Sequence, residues 1–152
     1  MPSPEFTEAM QLALDLAAKA SQQGDVPVGA IVMNSQGDVV GQGFNTREVD
    51  NDPMNHAEVV ALREAANTNG SWRLDDHTLV VTLEPCTMCA GAAVQTRIGR
   101  IVFGAFDDKA GAVGSLWDVV RDRRLPHRPE VVSGVLADEC GAILSEFFKA
   151  QR

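Results

Sequence analysis

This sequence of 152 residues has no long apolar run and only three cysteines. No apolar run comes near the roughly 20 residues that span a bilayer. Acidic Glu5 and Glu8 interrupt the first apolar positions, which argues against a secretory signal. The three cysteines are few and odd in number, so a disulfide framework is disfavoured and a reducing compartment is expected. These absences predict a cytoplasmic protein with no membrane partner.

Positive charge is also scarce, because 13 basic residues stand against 21 acidic ones and the formal net charge is −8. Attraction to nucleic-acid phosphates depends on Lys and Arg, so this balance argues against a general nucleic-acid binder and against a DNA partner. Residues 97–128 differ, since they hold seven basic and four acidic residues. We expect a local basic surface there, with Lys109, Arg123 and Arg124 as candidate contacts to RNA phosphates.

The composition that is present is typical of one globular domain spanning residues 1–152. Hydrophobic residues make up 45% and charged residues 22%, which excludes disorder as a description of the whole chain. After an opening hairpin, β-rich runs alternate with helical patterns. This order predicts an α/β protein, a three-layer α/β/α sandwich around a mixed sheet of about five strands. The predicted helices are 5–22, 57–66, 89–95 and 138–150, and the predicted strands are 26–33, 39–44, 77–83, 101–105 and 131–136.

The most informative residues are His56 and, 30 positions later, the Cys-x-x-Cys pair Cys86 and Cys89. A Cys-x-x-Cys segment that enters a helix brings two sulfurs close enough to chelate one ion, and sulfur with imidazole selects zinc. Catalytic zinc sites use three protein ligands and leave the fourth position to water, whereas structural sites are closed by four. The spacing therefore predicts a zinc site with three protein ligands.

Glu58 is the candidate proton carrier beside this site. Residues two apart on a helix point about 200° away from each other, so Glu58 and His56 can face one site only in an irregular first turn. Asn55-x-x-Glu58 also resembles a capping box, in which Glu58 would simply begin a helix. Two further alternatives concern the cysteines, since Cys-x-x-Cys also occurs as a redox pair or as half of a structural zinc site. The third cysteine, Cys140, is interpreted as a core residue.

His-x-Glu followed by Pro-Cys-x-x-Cys is the signature of zinc-dependent nucleobase deaminases. The chain resembles one branch in particular, the bacterial tRNA-specific adenosine deaminases. Met54 and Asn55 depart from the Thr-Ala that commonly precedes the histidine in that branch. The resemblance extends in order through residues 26–30, 45, 52–53, 56–58, 84–92, 97–100, 102–104, 111–116, 127–128, 134–140 and 147–148.

This resemblance implies a cytidine deaminase-like fold and a homodimer that converts the wobble adenosine of a tRNA anticodon to inosine. One zinc ion per chain would be held by His56, Cys86 and Cys89, and Glu58 would move the protons.

The resemblance also implies roles in binding RNA. Asn45 would hydrogen-bond the extruded base and Val26 would form a pocket wall. Asp107 would touch the backbone of the anticodon loop, and Phe148 would flank the loop nucleotides. Each polar or aromatic residue has a structural alternative, because Asn45 can simply end a strand, Asp107 can be a solvated loop charge and Phe148 can belong to the core.

Two other functions compete with this one. The first is a deaminase of free guanine, cytosine or cytidine with the same zinc chemistry, for which the basic, Gly-rich segment 104–128 would have no purpose. The second is a non-catalytic binding module stabilised by zinc. It requires a fourth protein ligand, and the only cysteine left to provide one is the distant Cys140.

Overall fold

The computed structural model describes residues 3–151, which form one mixed sheet covered by helices on both faces. The elements in chain order are α1 (Pro4–Gln22), β1 (Gly29–Met33), β2 (Val39–Phe44), α2 (Arg47–Asp50), α3 (Ala57–Asn69), β3 (Thr78–Leu83), α4 (Thr87–Gln95), β4 (Arg100–Ala105), β5 (Glu130–Val132) and α5 (Ala137–Ala150). The α/β class and the five strands are confirmed.

The sheet has the strand order β2-β1-β3-β4-β5. Strand β1 runs antiparallel to β2 and β3, whereas β3, β4 and β5 run parallel to one another. All five residues of β1 are buried, as expected for a central strand with both faces covered. The parallel strands end at a common edge, where α/β proteins usually bind their ligands.

Helices α3 and α4 cover one face of the sheet, and helices α1 and α5 cover the other. Strand β3 serves both layers because its side chains alternate, so Leu79 packs with the α3 side and Val80 with the α1 side. Cys140 is fully buried in the α1 and α5 layer, which confirms its interpretation as a core cysteine. Across residues 3–151, no helix is both long and apolar enough to cross a membrane.

Several element ends differ from the prediction. Strand β5 ends at Val132 and does not reach residue 136, because Gly134 and Leu136 take positive φ values of 79° and 52° and turn the chain into α5. Helix α3 extends beyond the predicted residue 66 and ends at Asn69, because the next residue, Gly70, has a φ of 72°. Strand β1 begins at Gly29, so residues 26–28 lie outside the sheet.

The short helix α2 was not predicted. A helix of four residues is too short to be stable alone, because helix nucleation costs more than a few hydrogen bonds return. The buried carboxylate of Asp25 holds it, accepting hydrogen bonds from the backbone N–H groups of Glu48 (3.0 Å) and Val49 (3.3 Å). These hydrogen bonds join residues more than 20 positions apart, so no local sequence pattern predicts them.

Candidate active site

The predicted metal ligands come together at the N-terminal ends of two helices. His56 is the residue before α3, and Cys86 is the residue before α4, while Cys89 lies in the first turn of α4. His56 has extended backbone angles (φ −74°, ψ 153°) and is therefore not part of the helical repeat. This geometry explains how His56 and Glu58, only two residues apart, both line one cavity.

The distances between the ligand atoms fit a tetrahedral zinc ion. Nδ1 of His56 lies 3.6 Å from Sγ of Cys86 and 3.5 Å from Sγ of Cys89. Zinc bonds of about 2.3 Å to sulfur and about 2.0–2.1 Å to nitrogen set a sulfur-to-nitrogen separation of about 3.5–3.6 Å in a tetrahedron. Within residues 3–151 the cluster has three members, which matches a catalytic site rather than a closed structural one.

The charge state of Cys86 also suits a metal ligand. A hydrogen bond from the Cys89 thiol, opposed by burial and supported by His56, lowers the pKa of Cys86 to about 4. The N-terminus of α4 adds the positive end of the helix dipole. Both sulfurs also lie within 3.6 Å of the His56 imidazole nitrogen in one cluster, which favours a metal site over the redox-pair alternative.

Glu58 lies in the first turn of α3 with only 4% of its surface exposed. Burial raises the pKa of Glu58 to about 7. The capping-box interpretation is wrong, because the residue before α3 is His56 and not Asn55. The side-chain amide of Asn55 instead donates to Oγ1 of Thr46 and to the Asp50 carboxylate. Asn55 and Glu58 therefore do not form a capping box at the start of α3.

Together these residues form the floor of a cavity of about 170 Å³. This volume is below the roughly 300–1,000 Å³ of pockets that hold drug-sized ligands, so the cavity suits one small ring system. The structure brings six of the predicted site residues into its lining: Val26, Asn45, His56, Glu58, Cys86 and Asp107. Cys89 lies fully buried behind them.

Asn45 lies directly after β2 and connects three segments. Its carbonyl oxygen accepts a hydrogen bond from the N–H of Ala57 (2.9 Å), and its NH₂ group donates to the carbonyl of Val26 (3.0 Å). A side-chain amide has two donor hydrogens and two acceptor lone pairs. One donor and one acceptor of Asn45 therefore remain for a group in the cavity.

The other predicted RNA contacts lie outside the cavity lining. Phe148 is 48% exposed near the end of α5, so the alternative that it belongs to the core is wrong. Lys109 and Arg123 are exposed. Arg124 is also exposed, but its guanidinium group donates two hydrogen bonds to the carboxylate of Asp122 (2.9 and 2.6 Å).

Six residues of the cavity lining were not predicted as site residues, and three of these are charged: Asp25, Arg47 and Glu84. Arg47 lies on the short helix α2 and pairs with Glu48 at 3.5 Å on the surface. Its position follows from α2, which sequence patterns did not reveal. Glu84 does carry a sequence signal, since an acidic residue between a buried strand and a metal-ligand segment needs partners.

The three-layer fold, the three zinc ligands and the buried carboxyl group at their side define a zinc-dependent deaminase. Residues 4–105 match the cytidine and deoxycytidylate deaminase zinc-binding region. The chain belongs to this family, and within it to the branch of the tRNA-specific adenosine deaminases, as two comparisons over nearly the whole chain indicate.

The first comparison is with the tRNA-specific adenosine deaminase of Haemophilus influenzae, which is 49% identical over 149 residues, covering 97% of this chain and 86% of that protein. The second is with a solved structure from a study of A-to-I editing by tRNA:A34 deaminases at the wobble position of transfer RNA. It has a TM-score of 0.87 and 40% identity, and covers 91% of this chain and 99% of that one.

A guanine deaminase structure from Bacillus subtilis is also similar, with a TM-score of 0.63 and 33% identity, covering 71% of this chain and 69% of that one. The fold alone therefore does not select the base that is deaminated.

Proposed function

We propose that this protein hydrolytically deaminates the wobble adenosine of a tRNA anticodon loop to inosine. The observation that carries the choice of substrate is the extent of its likeness to a tRNA-specific adenosine deaminase. That likeness covers 97% of the chain, and so includes the segments after residue 105 that surround the cavity.

His56, Cys86 and Cys89 would hold the zinc ion, through Nδ1 of His56 and the two Sγ atoms, which lie together in one cluster. When bound in a site with three protein ligands, zinc activates water, whose pKa falls to about 7. As the water oxygen bonds to C6 of adenine, the Glu58 carboxylate would take one proton from the water and pass it to N1. It would then move the second proton from that oxygen to the amino nitrogen, so that the bond between C6 and the amino nitrogen breaks, C6 becomes a carbonyl and ammonia leaves.

The extruded base lies between the side chain of Val26 and the free donor and acceptor of Asn45. Nucleotides of the anticodon loop are already partly unstacked, so extrusion costs less than it would in a duplex. Asp107 and Phe148 contact the flanking nucleotides, and Lys109, Arg123 and Arg124 contact phosphates. These outer contacts supply the binding energy that a free nucleoside lacks.

The test of this function compares an anticodon stem-loop with adenosine at the wobble position against free adenosine, cytidine and guanine. We expect inosine in the stem-loop and little ammonia from the free compounds at equal enzyme concentration. Efficient deamination of guanine or cytidine with an inert stem-loop would instead assign the protein to the deaminases of free bases and nucleosides.

The ligand set is tested by elemental analysis of the Cys89→Ala variant. Because only two ligands remain, zinc should fall well below one ion per chain. The matched control is Cys140→Ala, which removes an equally buried cysteine outside the cluster and should keep the ion. Full zinc occupancy in Cys89→Ala would contradict the assignment.

We further propose a homodimer in the cytoplasm. Met54, two residues before His56, is 55% exposed, and Trp117 is 58% exposed. Exposed apolar side chains mark protein contacts where they form a contiguous patch, so we expect these two to lie in the contact between the two chains. The free Cys86 and Cys89 thiols suit a reducing compartment. Light scattering at several protein concentrations tests the dimer, and a mass of one chain throughout would contradict it.

A further inference from the structure

Glu84 is a buried carboxylate that the proposed chemistry does not use. It lies between the end of β3 and the ligand Cys86, and only 2% of its surface is exposed. A buried charge is costly unless it is paired or hydrogen-bonded. Among the ion pairs of residues 3–151, none includes Glu84. Its partners must therefore be neutral donors.

All of these donors come from one segment, residues 107–115, which we call the rim loop. Oε1 of Glu84 accepts hydrogen bonds from the N–H of Asp107 (3.1 Å) and from the hydroxyl of Ser115. Oε2 accepts from the N–H groups of Val113 and Ser115, both at 3.0 Å. An ionised carboxylate only accepts, so one side chain can serve all four donors.

The rim loop also packs directly on the segment that holds Cys86. The N–H of Ala112 donates to the carbonyl of Pro85 at 2.8 Å. A Cβ atom at Gly111 would overlap the Glu84 carboxyl group and the carbonyl oxygen of Asp107, so only glycine permits this approach. Two independent contacts thus join the rim loop to the segment that carries a zinc ligand.

We propose that Glu84 is a positioning residue that holds the rim loop in the conformation that binds RNA. This role rests on the proposed function. Glu84 accepts a hydrogen bond from the N–H of Asp107, a residue of the cavity lining, so the carboxylate sets where Asp107 meets the anticodon-loop backbone. Both oxygens of Glu84 are occupied by the loop, so Glu84 acts on the RNA through Asp107 and not by direct contact.

The substitution Glu84→Gln tests this role because it keeps the size of the side chain while replacing one acceptor oxygen with a donor NH₂ group. The matched control is Glu130→Gln, which removes the same charge from an exposed residue at the opposite, amino end of the parallel strands. The readouts are KM and kcat for the stem-loop, zinc content, and hydrogen exchange of individual backbone amides.

For Glu84→Gln we expect KM to rise by about tenfold or more, the size of one lost hydrogen bond to a charged group, with kcat reduced less than about threefold. Zinc should stay at one ion per chain. Amides of Asp107, Val113 and Ser115 should exchange faster, and those of β3 should not. An unchanged KM, or a loss of zinc together with activity, would overturn the positioning role.

If Glu84→Gln does not fold, Ser115→Ala serves instead, because it removes one donor and leaves the carboxylate in place. A rise in KM smaller than the one expected for Glu84→Gln supports the role, and an unchanged KM overturns it.

Hydrogen exchange is measured without RNA, so it reports on the rim loop independently of the proposed function. If the wild-type protein leaves the stem-loop unmodified, the proposed function fails, whereas slow exchange of the loop amides in Glu84→Gln refutes the anchoring by Glu84.

Discussion

Glu58 and Glu84 are both buried glutamates that line one cavity, yet their surroundings oppose each other. Burial beside the zinc ligands raises the pKa of Glu58 to about 7. Burial would also raise the pKa of Glu84, but hydrogen bonds from Ser115, Asp107 and Val113 outweigh it and hold the pKa below its usual value.

This difference separates a reactive group from a structural one. A carboxylate whose oxygens accept several hydrogen bonds from backbone and hydroxyl donors stays ionised and fixes the chain around it. A carboxyl group with few donors can gain and lose a proton during a reaction. The number of hydrogen-bond donors around each glutamate, and not its burial, distinguishes Glu58, the proposed proton carrier, from Glu84, which holds the loop that we propose binds RNA.

The largest expected effect is that of Glu58→Gln on turnover. The amide cannot carry the proton, so the rate of a single turnover should fall by about 10²–10⁴. Zinc content and the circular dichroism spectrum should be unchanged, because Glu58 is neither a ligand nor a helix cap. Glu64→Gln, an exposed residue on the same helix, is the control. Wild-type turnover in Glu58→Gln would remove the distinction between the two glutamates.

Gly111→Ala should disturb the rim loop without changing the metal ligands or Glu58. The added methyl group overlaps the Glu84 carboxyl group, and such overpacking costs about 1–3 kcal/mol of unfolding free energy. We expect KM for the stem-loop to rise, with zinc retained. The control Gly141→Ala places its methyl group in open space on α5 and should not lower stability. Urea unfolding and steady-state kinetics measure both effects, and a wild-type KM in Gly111→Ala would refute the close approach.

The smallest effect is expected for the basic residues outside the cavity. Arg123→Ala should reduce the slope of log affinity against log salt by about one unit or somewhat less, as for one lost phosphate contact. Arg124→Ala should change it less, because the Arg124 guanidinium group is engaged by Asp122. Titrations of the stem-loop at several salt concentrations decide this. Equal slopes for wild type and Arg123→Ala would remove Arg123 from the RNA surface.

Much of the fold and of the metal site could be predicted from the sequence. The periodicity of helix 5–22 and the apolar character of strand 77–83 are local properties, and both elements exist within one residue of the predicted bounds. The zinc ligands were predicted because Cys-x-x-Cys and His-x-Glu are short motifs tied to one chemistry. The three side chains lie close enough in the structure to share one ion, as this spacing and these residue types predict.

The rim of the cavity depends on contacts that no window of sequence contains. The donors to Glu84 lie 23 to 31 residues further along the chain, and the amides held by Asp25 lie 23 and 24 residues away. Hydrogen bonds of this kind form wherever folding brings a donor to a buried acceptor.

The sequence by itself determined the order of the elements, the candidate metal ligands and the choice of Glu58 as candidate proton carrier. These follow from residue type and short spacing, because these two properties specify periodicity and metal preference. The tertiary structure alone decided three features. These are the short helix α2, the anchoring of the rim loop, and the extended backbone of His56, which places His56 and Glu58 at the same cavity. The physical reason is that a buried polar group must find its partners in space, and those partners are separated from it along the chain.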